Sequence, residues 1–159
     1  MKIGVMSDTH LRQITNDLRK VVEGIFSDAD MILHAGDIVS PTVLNYLESA
    51  KVIAVSGNMD PYETSQSLPE KRVIEAESFK IGLIHGWGPP QGLAQKLRKE
   101  FEQIDCLVFG HSHQPLNARF GNVLYFNPGS MTFSSRSSKK SVGILHIHDT
   151  IEGEIITLD

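Results

Sequence analysis

Ile3-Gly4-Val5-Met6-Ser7-Asp8-Thr9-His10 decides how the rest of the chain is read. Its first four residues form a short apolar run of the kind that becomes a buried strand. A carboxylate and an imidazole follow, two positions apart. Along an extended chain, positions i and i+2 point the same way, so Asp8 and His10 are expected to converge just past the strand's end. An oxygen and a nitrogen ligand meeting there suit a divalent transition metal. Taken alone, Asp8 fits a turn or a helix cap at least as well.

Working outward, Lys2 to Met6 is the first expected strand. Leu11, Ile14, Leu18, Val21, Val22 and Ile25 recur at helical spacing, which predicts an amphipathic helix over 12–27. Met31-Ile32-Leu33 reads as a second strand running into His34-Ala35-Gly36-Asp37. Pro41, Val43, Leu44 and Leu47 mark a short helix, with proline in its first turn. Val52-Ile53-Ala54-Val55 is a third strand, ending in Ser56-Gly57-Asn58-Met59-Asp60-Pro61. This alternation implies right-handed crossovers and a parallel sheet.

Residues 62–70 read as a loop, and 72–76 with 79–84 as a strand pair reaching His85-Gly86. Leu93, Leu97 and Phe101 line one face of another helix. Cys106-Leu107-Val108-Phe109 is a strand ending in Gly110-His111-Ser112-His113. Short strands around 116–120, 123–126, 142–147 and 155–158 follow, the first two joined by a tight Gly121-Asn122 turn. Helices are scarce here, which predicts a second, largely antiparallel sheet.

A chain of 159 residues, 40% hydrophobic and 21% charged, suits one soluble domain spanning 1–159. A net charge of -4 does not favour nucleic-acid partners. The lone Cys106 sits in an apolar run, so neither an internal disulfide nor a thiolate zinc site is expected. No apolar run is long enough for a signal sequence or a membrane span, and a cytoplasmic location is expected. Nothing in the sequence decides whether the chain self-associates.

Five apolar runs thus end in polar clusters: Asp8 and His10, Asp37, Asn58, His85, and His111 with His113. In open α/β sheets, sites assemble at such strand ends. Seven ligands are too many for one metal with an open position. They suit two metals sharing a carboxylate. The ordered series Asp8-Thr9-His10, Gly36-Asp37, Gly57-Asn58, His85 and Gly110-His111-Ser112-His113 resembles the calcineurin-like metallophosphoesterase superfamily. The short length and the Asn127-Pro128-Gly129-Ser130 turn are similar to its small YfcE-like phosphodiesterase branch.

The resemblance implies an α/β fold, a four-layer αββα sandwich of two mixed β-sheets flanked by helices. It implies that Asp8, His10, Asp37 and His113 hold one metal and Asp37, Asn58, His85 and His111 the other, with Asp37 bridging. It also implies catalytic roles for Asp37, Asn58 and His10. Two divalent ions about 3.5–4 Å apart activate a bridging water and clamp a phosphoryl group. The expected function is therefore a metal-dependent phosphodiesterase acting on a small phosphodiester. Mn²⁺ is the expected ion, with Ni²⁺, Zn²⁺, Fe²⁺ or Co²⁺ as alternatives. Many superfamily phosphatases carry a histidine after the asparagine of Gly-Asn; this chain has Met59, which cannot protonate a leaving group. That disfavours alkyl and protein phosphomonoesters. A phosphomonoesterase or nuclease of the same superfamily is an alternative. So is a protein-binding scaffold of the same fold, as in the retromer complex, though a scaffold has no need of a full ligand set.

Arg12 suits either a phosphate contact or a solvated helix start; Trp87 suits either an apolar lip for an aryl or nucleobase group or packing under its loop. His34 reads as a support for a metal ligand or as a plain buried histidine. Asp60 reads as a turn former, and His146 and His148 as surface residues. The run Ser134 to Ser141, with Arg136 in it, is an exposed loop or a strap that attracts anions.

Overall fold

The first strand, β1 (Lys2–Met6), serves two cores at once. Ile3 and Val5 point between two sheets, while Met6 lies beneath helices. Gly4 is required there because a Cβ would come within 2.6 Å of the Phe26 ring. The computed structural model describes residues 1–132 and 139–159; Arg136 and its serine neighbours Ser134 to Ser138 lie outside the described residues.

After β1 come α1 (Asn16–Arg19), continuing as a π-helical stretch (Lys20–Ile25), β2 (Met31–His34), α2 (Pro41–Ser49) and β3 (Val52–Ala54). Then follow α3 (Tyr62–Ser65), β4 (Lys71–Ala76), β5 (Phe79–Ile84), α4 (Leu93–Arg98), β6 (Cys106–Val108), β7 (Leu116–Phe120), β8 (Val123–Asn127), β9 (Lys140–Ile147) and β10 (Ile151–Leu158). One sheet has the order β10-β9-β1-β2-β3 and the other β4-β5-β6-β8-β7.

The β1-β2-β3 strands are parallel, as the strand–helix alternation predicts. The second sheet is not largely antiparallel. Its centre, β5-β6-β8, is parallel, and only β4 and β7 run the other way. The late strands β9 and β10 do not belong to it either; β9 pairs antiparallel with β1. A period-two pattern marks a strand but carries no information about its neighbour.

The layers follow from side-chain direction. Leu33, Val55, Leu83, Val108, Phe126 and Leu145 fill the space between the sheets. Leu18, Val22, Leu44 and Leu47 cover the outer face of the first sheet through Met6, Ile32 and Val142. Leu93 and Leu97 cover the second sheet through Ile84, Leu107 and Tyr125. The result is a four-layer αββα sandwich of two mixed sheets.

Three local expectations need correction. The first helix starts at Asn16, not near residue 12, because the Thr15 hydroxyl accepts the Leu18 N–H at 3.2 Å and caps it there. Residues 62–70 are not all loop, since Pro61 precedes the short helix α3. Phe101 is buried but lies beyond the end of α4.

Candidate metal centre

Asp8 and His10 follow β1, Asp37 follows β2, Asn58 follows β3, His85 follows β5, and His111 and His113 follow β6. All seven thus lie beyond C-terminal strand ends, four on one sheet and three on the other. The loops interlock through backbone: Asp8 N donates to Gly36 O at 3.0 Å, His10 N to Asp37 O at 3.1 Å and Gly110 N to His85 O at 3.0 Å. The backbone here is not extended. Asp8 (φ 52°), His10 (45°), Asp37 (61°), His111 (67°) and His113 (60°) all adopt the left-handed conformation. Such residues are uncommon outside glycine and cluster at functional sites.

Asp8, His10, Asp37 and His113 offer ligand atoms that all lie within 4.8 Å of one another. Asp8 Oδ1 is buried and accepts no aligned hydrogen bond. Yet the Nε2 atoms of His113, His10 and His85 stand 3.1, 3.7 and 3.9 Å away. Its other oxygen accepts from the Ser7 hydroxyl at 2.5 Å and the His111 N–H at 3.1 Å. Burial alone pushes the Asp8 carboxyl up. The imidazoles of His10 and His113, then His85 and Ser7, outweigh it and hold the group well below the usual carboxylate range. His10 is raised in turn, chiefly by Asp8. A buried, deprotonated oxygen facing three imidazoles fits a divalent cation.

A second group sits beside the first. Asp37 Oδ2 lies 3.5 Å from His10 Nε2 and 3.2 Å from His85 Nε2. Asn58 Oδ1 lies 3.0 Å from His85 Nε2 and 2.9 Å from His111 Nδ1. His85 Nδ1 donates to the Ala35 carbonyl at 2.7 Å and His111 Nε2 to the Gly88 carbonyl at 2.8 Å. A ring nitrogen so engaged leaves its partner as the ligand atom. Burial opposes charge on both Asp37 and His85, but their mutual attraction wins, lowering the one and raising the other.

Several supporting residues carried only a weak signal in the sequence, or none. Asp60 is more than a turn former: its carboxylate accepts three backbone N–H groups, from Gly57, Asp37 and Val39. His34 is fully buried, and burial pushes its pKa down to about 3. Both of its ring nitrogens are engaged, one with Thr9 Oγ1 at 3.2 Å and the other with Gly36 N at 3.1 Å, so it supports the loops beside the candidate ligands. Asn127 donates to the Gly110 carbonyl and Ser130 to the Asp8 carbonyl, at 3.0 and 2.9 Å. The Asn127-to-Ser130 turn thus props both ends of the ligand set.

Arg12 is exposed on the segment after His10; its carbonyl accepts from Ser40 Oγ, and its guanidinium makes no hydrogen bond or ion pair with the ligand group. Trp87 is 45% exposed and lines a cleft that begins at Asn58 and His85. Met59 is exposed beside Asn58. His146 pairs with Glu154 on β10, away from the ligand group, and His148 is exposed. No helix among the described residues is long and apolar enough to cross a membrane.

Residues 1–150 match the model of the calcineurin-like phosphoesterase superfamily domain. A probable metallophosphoesterase from Methanothermobacter thermautotrophicus is 41% identical over 160 residues, covering 98% of this chain and 92% of that protein. Among solved structures, an archaeal phosphodiesterase superposes with a TM-score of 0.82 at 28% identity, over 99% of this chain and 100% of the other. The Escherichia coli phosphoesterase Yfce gives 0.71 at 26%, over 92% and 88%. Zinc-bound Vps29 from Entamoeba histolytica gives 0.71 at 25%, over 100% of both chains. The family match and the close relative agree with the strand-end ligands: this chain belongs to the calcineurin-like phosphoesterase superfamily.

Proposed function

We propose that the protein is a phosphodiesterase that works with two divalent ions, Mn²⁺ foremost, on a small phosphodiester. The observation that carries this is Asp8 Oδ1, a buried oxygen with no aligned hydrogen bond among three imidazole nitrogens. An ionised oxygen left so is costly unless a cation meets it. Asp8, His10, Asp37 and His113 would hold one ion. Asp37, Asn58, His85 and His111 would hold the other. Asp37 serves both because its Oδ2 stands between His10 and His85. Two ions held there would acidify a water and draw charge off the phosphoryl oxygens.

The chain's own residues do the positioning. Asp37 Oδ1 accepts the Met59 N–H at 2.8 Å, which fixes the plane of the bridging carboxylate. His10, Asp37 and Asn58 are the proposed catalytic residues. Imidazole-rich sites hold Mn, Fe, Co, Ni or Zn better than Mg. Met59 cannot supply a proton, so diesters with good leaving groups are favoured over alkyl monoesters.

The test is hydrolysis of bis-p-nitrophenyl phosphate by metal-stripped protein, with and without Mn²⁺, beside Asp37→Asn. Turnover is expected only with metal and only with Asp37 intact. A tenfold preference for p-nitrophenyl phosphate over the bis-ester would sink the diesterase assignment. The likeness to Vps29 favours one other reading, a metal-holding scaffold that hydrolyses nothing. Bound metal without turnover under Mn²⁺, Ni²⁺, Co²⁺ or Zn²⁺ would favour it.

A further inference from the structure

A cleft of about 350 Å³ opens beside the second ligand group. That volume falls at the lower end for small-molecule sites, roughly 300–1,000 Å³. Asn58 and His85 wall it where it meets the ligands, Trp87 flanks it, and Glu70, Lys71 and Glu100 are among its other lining residues. Ile84 gives it a buried apolar floor beside His85.

The aromatic wall is held in place from two directions. Lys96, which does not line the cleft, sits 4.8 Å from the Trp87 ring centroid and donates to the Trp87 carbonyl. The next residue, Gly88, accepts the His111 Nε2–H. The indole is thus both substantially exposed and anchored to a ligand residue. Lys96 takes one face of the ring; an anchored indole that remains 45% exposed and lines the cleft suits a planar partner on what is left open, since stacking there needs little induced order.

The polar part of the cleft narrows the choice. Lys71 is engaged by Glu100 at 3.2 Å, and Glu70 adds a second carboxylate. Two carboxylates against one engaged ammonium accept hydrogen bonds and repel phosphate. A plain aryl group has no donors to offer them. A polynucleotide would bring further phosphates toward them. A single nucleoside has a planar base and hydroxyl or amino donors, with no charge beyond its one phosphodiester.

We propose that this cleft binds a nucleoside arm of the substrate, its base stacked on Trp87 and its donors on Glu70 and Glu100. The inference rests on the diesterase reading above and names its substrate class.

Two p-nitrophenyl diesters with the same leaving group test it on the Mn²⁺-loaded protein. One carries a thymidine 5′-phosphoryl arm and the other a methyl arm. The thymidine ester is expected to show at least tenfold higher kcat/KM, mainly through KM. Trp87→Ala is expected to collapse that ratio toward one, and Trp87→Phe to retain part of it. Trp87 is the only tryptophan, so its fluorescence reports occupancy without turnover. Thymidine 5′-monophosphate is expected to change it saturably, and inorganic phosphate not at all. Equal hydrolysis of both esters with no fluorescence response would overturn the nucleoside cleft and leave the diesterase standing. Hydrolysis of neither, with metal bound, would overturn the diesterase, and the fluorescence titration would still decide the cleft.

Discussion

The Asp60 carboxylate accepts the backbone N–H of Asp37 at 3.1 Å. The same side chain takes the N–H groups of Gly57 and Val39, both at 2.7 Å. It therefore clamps the loop carrying Asp37 to the loop carrying Asn58. It also holds Val39 at φ 64°, where a β-branched residue is strained. Asp60→Ala is expected to destabilise the protein by about 1–3 kcal/mol, the usual cost of stranding buried donors. It is also expected to weaken Mn²⁺ binding at least tenfold. Thermal melts and a calorimetric Mn²⁺ titration check both; unchanged affinity would show that the clamp does not position the ligands.

Metal binding should be pH-dependent in a definite direction. His10 and His85 are raised above their ordinary 6.5 in the metal-free protein. Their contribution to stability is complete below 6.5 and is lost as pH rises through the folded values. Asp8 and Asp37 are lowered from 3.8, so theirs is present above 3.8 and is lost as pH falls through the folded values. His34, pushed down to about 3, takes stability away as pH falls below 6.5, but it stays neutral in the folded protein at both pH 6 and pH 8 and so leaves the with-minus-without-metal comparison between them unchanged. A cation competes with the protons on His10 and His85. The rise in Tm on adding Mn²⁺ is therefore expected to be large at pH 8 and small at pH 6. Differential scanning fluorimetry with and without Mn²⁺ measures it; a rise of equal size at both would contradict these ligand roles.

Met59 follows the Gly57-Asn58 pair, where the family resemblance leads one to expect an imidazole, and its exposed side chain leaves room for one. Met59→His keeps the backbone N–H that holds Asp37. It is expected to raise hydrolysis of an alkyl monoester such as glycerol 2-phosphate by about 10²-fold, the lower range for general acid help. Activated aryl esters should gain far less. Phosphate release from the two ester types gives the ratio, and an unchanged ratio would remove Met59 as a determinant of the proposed ester preference.

Gly57 is needed for closeness. A Cβ there would collide with Asp37 Oδ1 and the Asp37 backbone nitrogen. Gly57→Ala is expected to cost about 1–3 kcal/mol through overpacking and to reduce Mn²⁺ stoichiometry by displacing Asp37 or Asn58. Mass spectrometry of the native holoprotein counts the ions. Full loading in the variant would mean that the loops yield without moving their ligands.

The positions that meet in the candidate centre were legible because each stands a few residues beyond an apolar run, and burial makes such runs easy to see. Strand alternation alone does not account for their convergence. Asp8 and His10 do share a direction, but through two left-handed residues with Thr9 turned away to His34, not through a pleated strand. Left-handed aspartate and histidine leave no trace in hydrophobic patterning. His34 stands at the same edge as Asp37, but both its ring nitrogens are taken, by Thr9 and Gly36, which only the placement of those two residues decides. Asp60 could be read as a turn former, but its three acceptor bonds depend on two loops meeting. Sheet membership of β9 was hidden for a similar reason: its partner β1 is separated from it by most of the chain.

That long-range pairing has a consequence for biosynthesis. The strand that leads to Asp8 lacks its β9 neighbour until Lys140–Ile147 has been translated. Ser130, which braces the Asp8 carbonyl, also comes after every ligand. A partly made chain therefore carries all seven proposed metal-binding side chains before it has the braces that arrange them. If those side chains hold metal as proposed, capture of the cation would be a late event in the life of the polypeptide, and the proposed hydrolysis would await the finished chain.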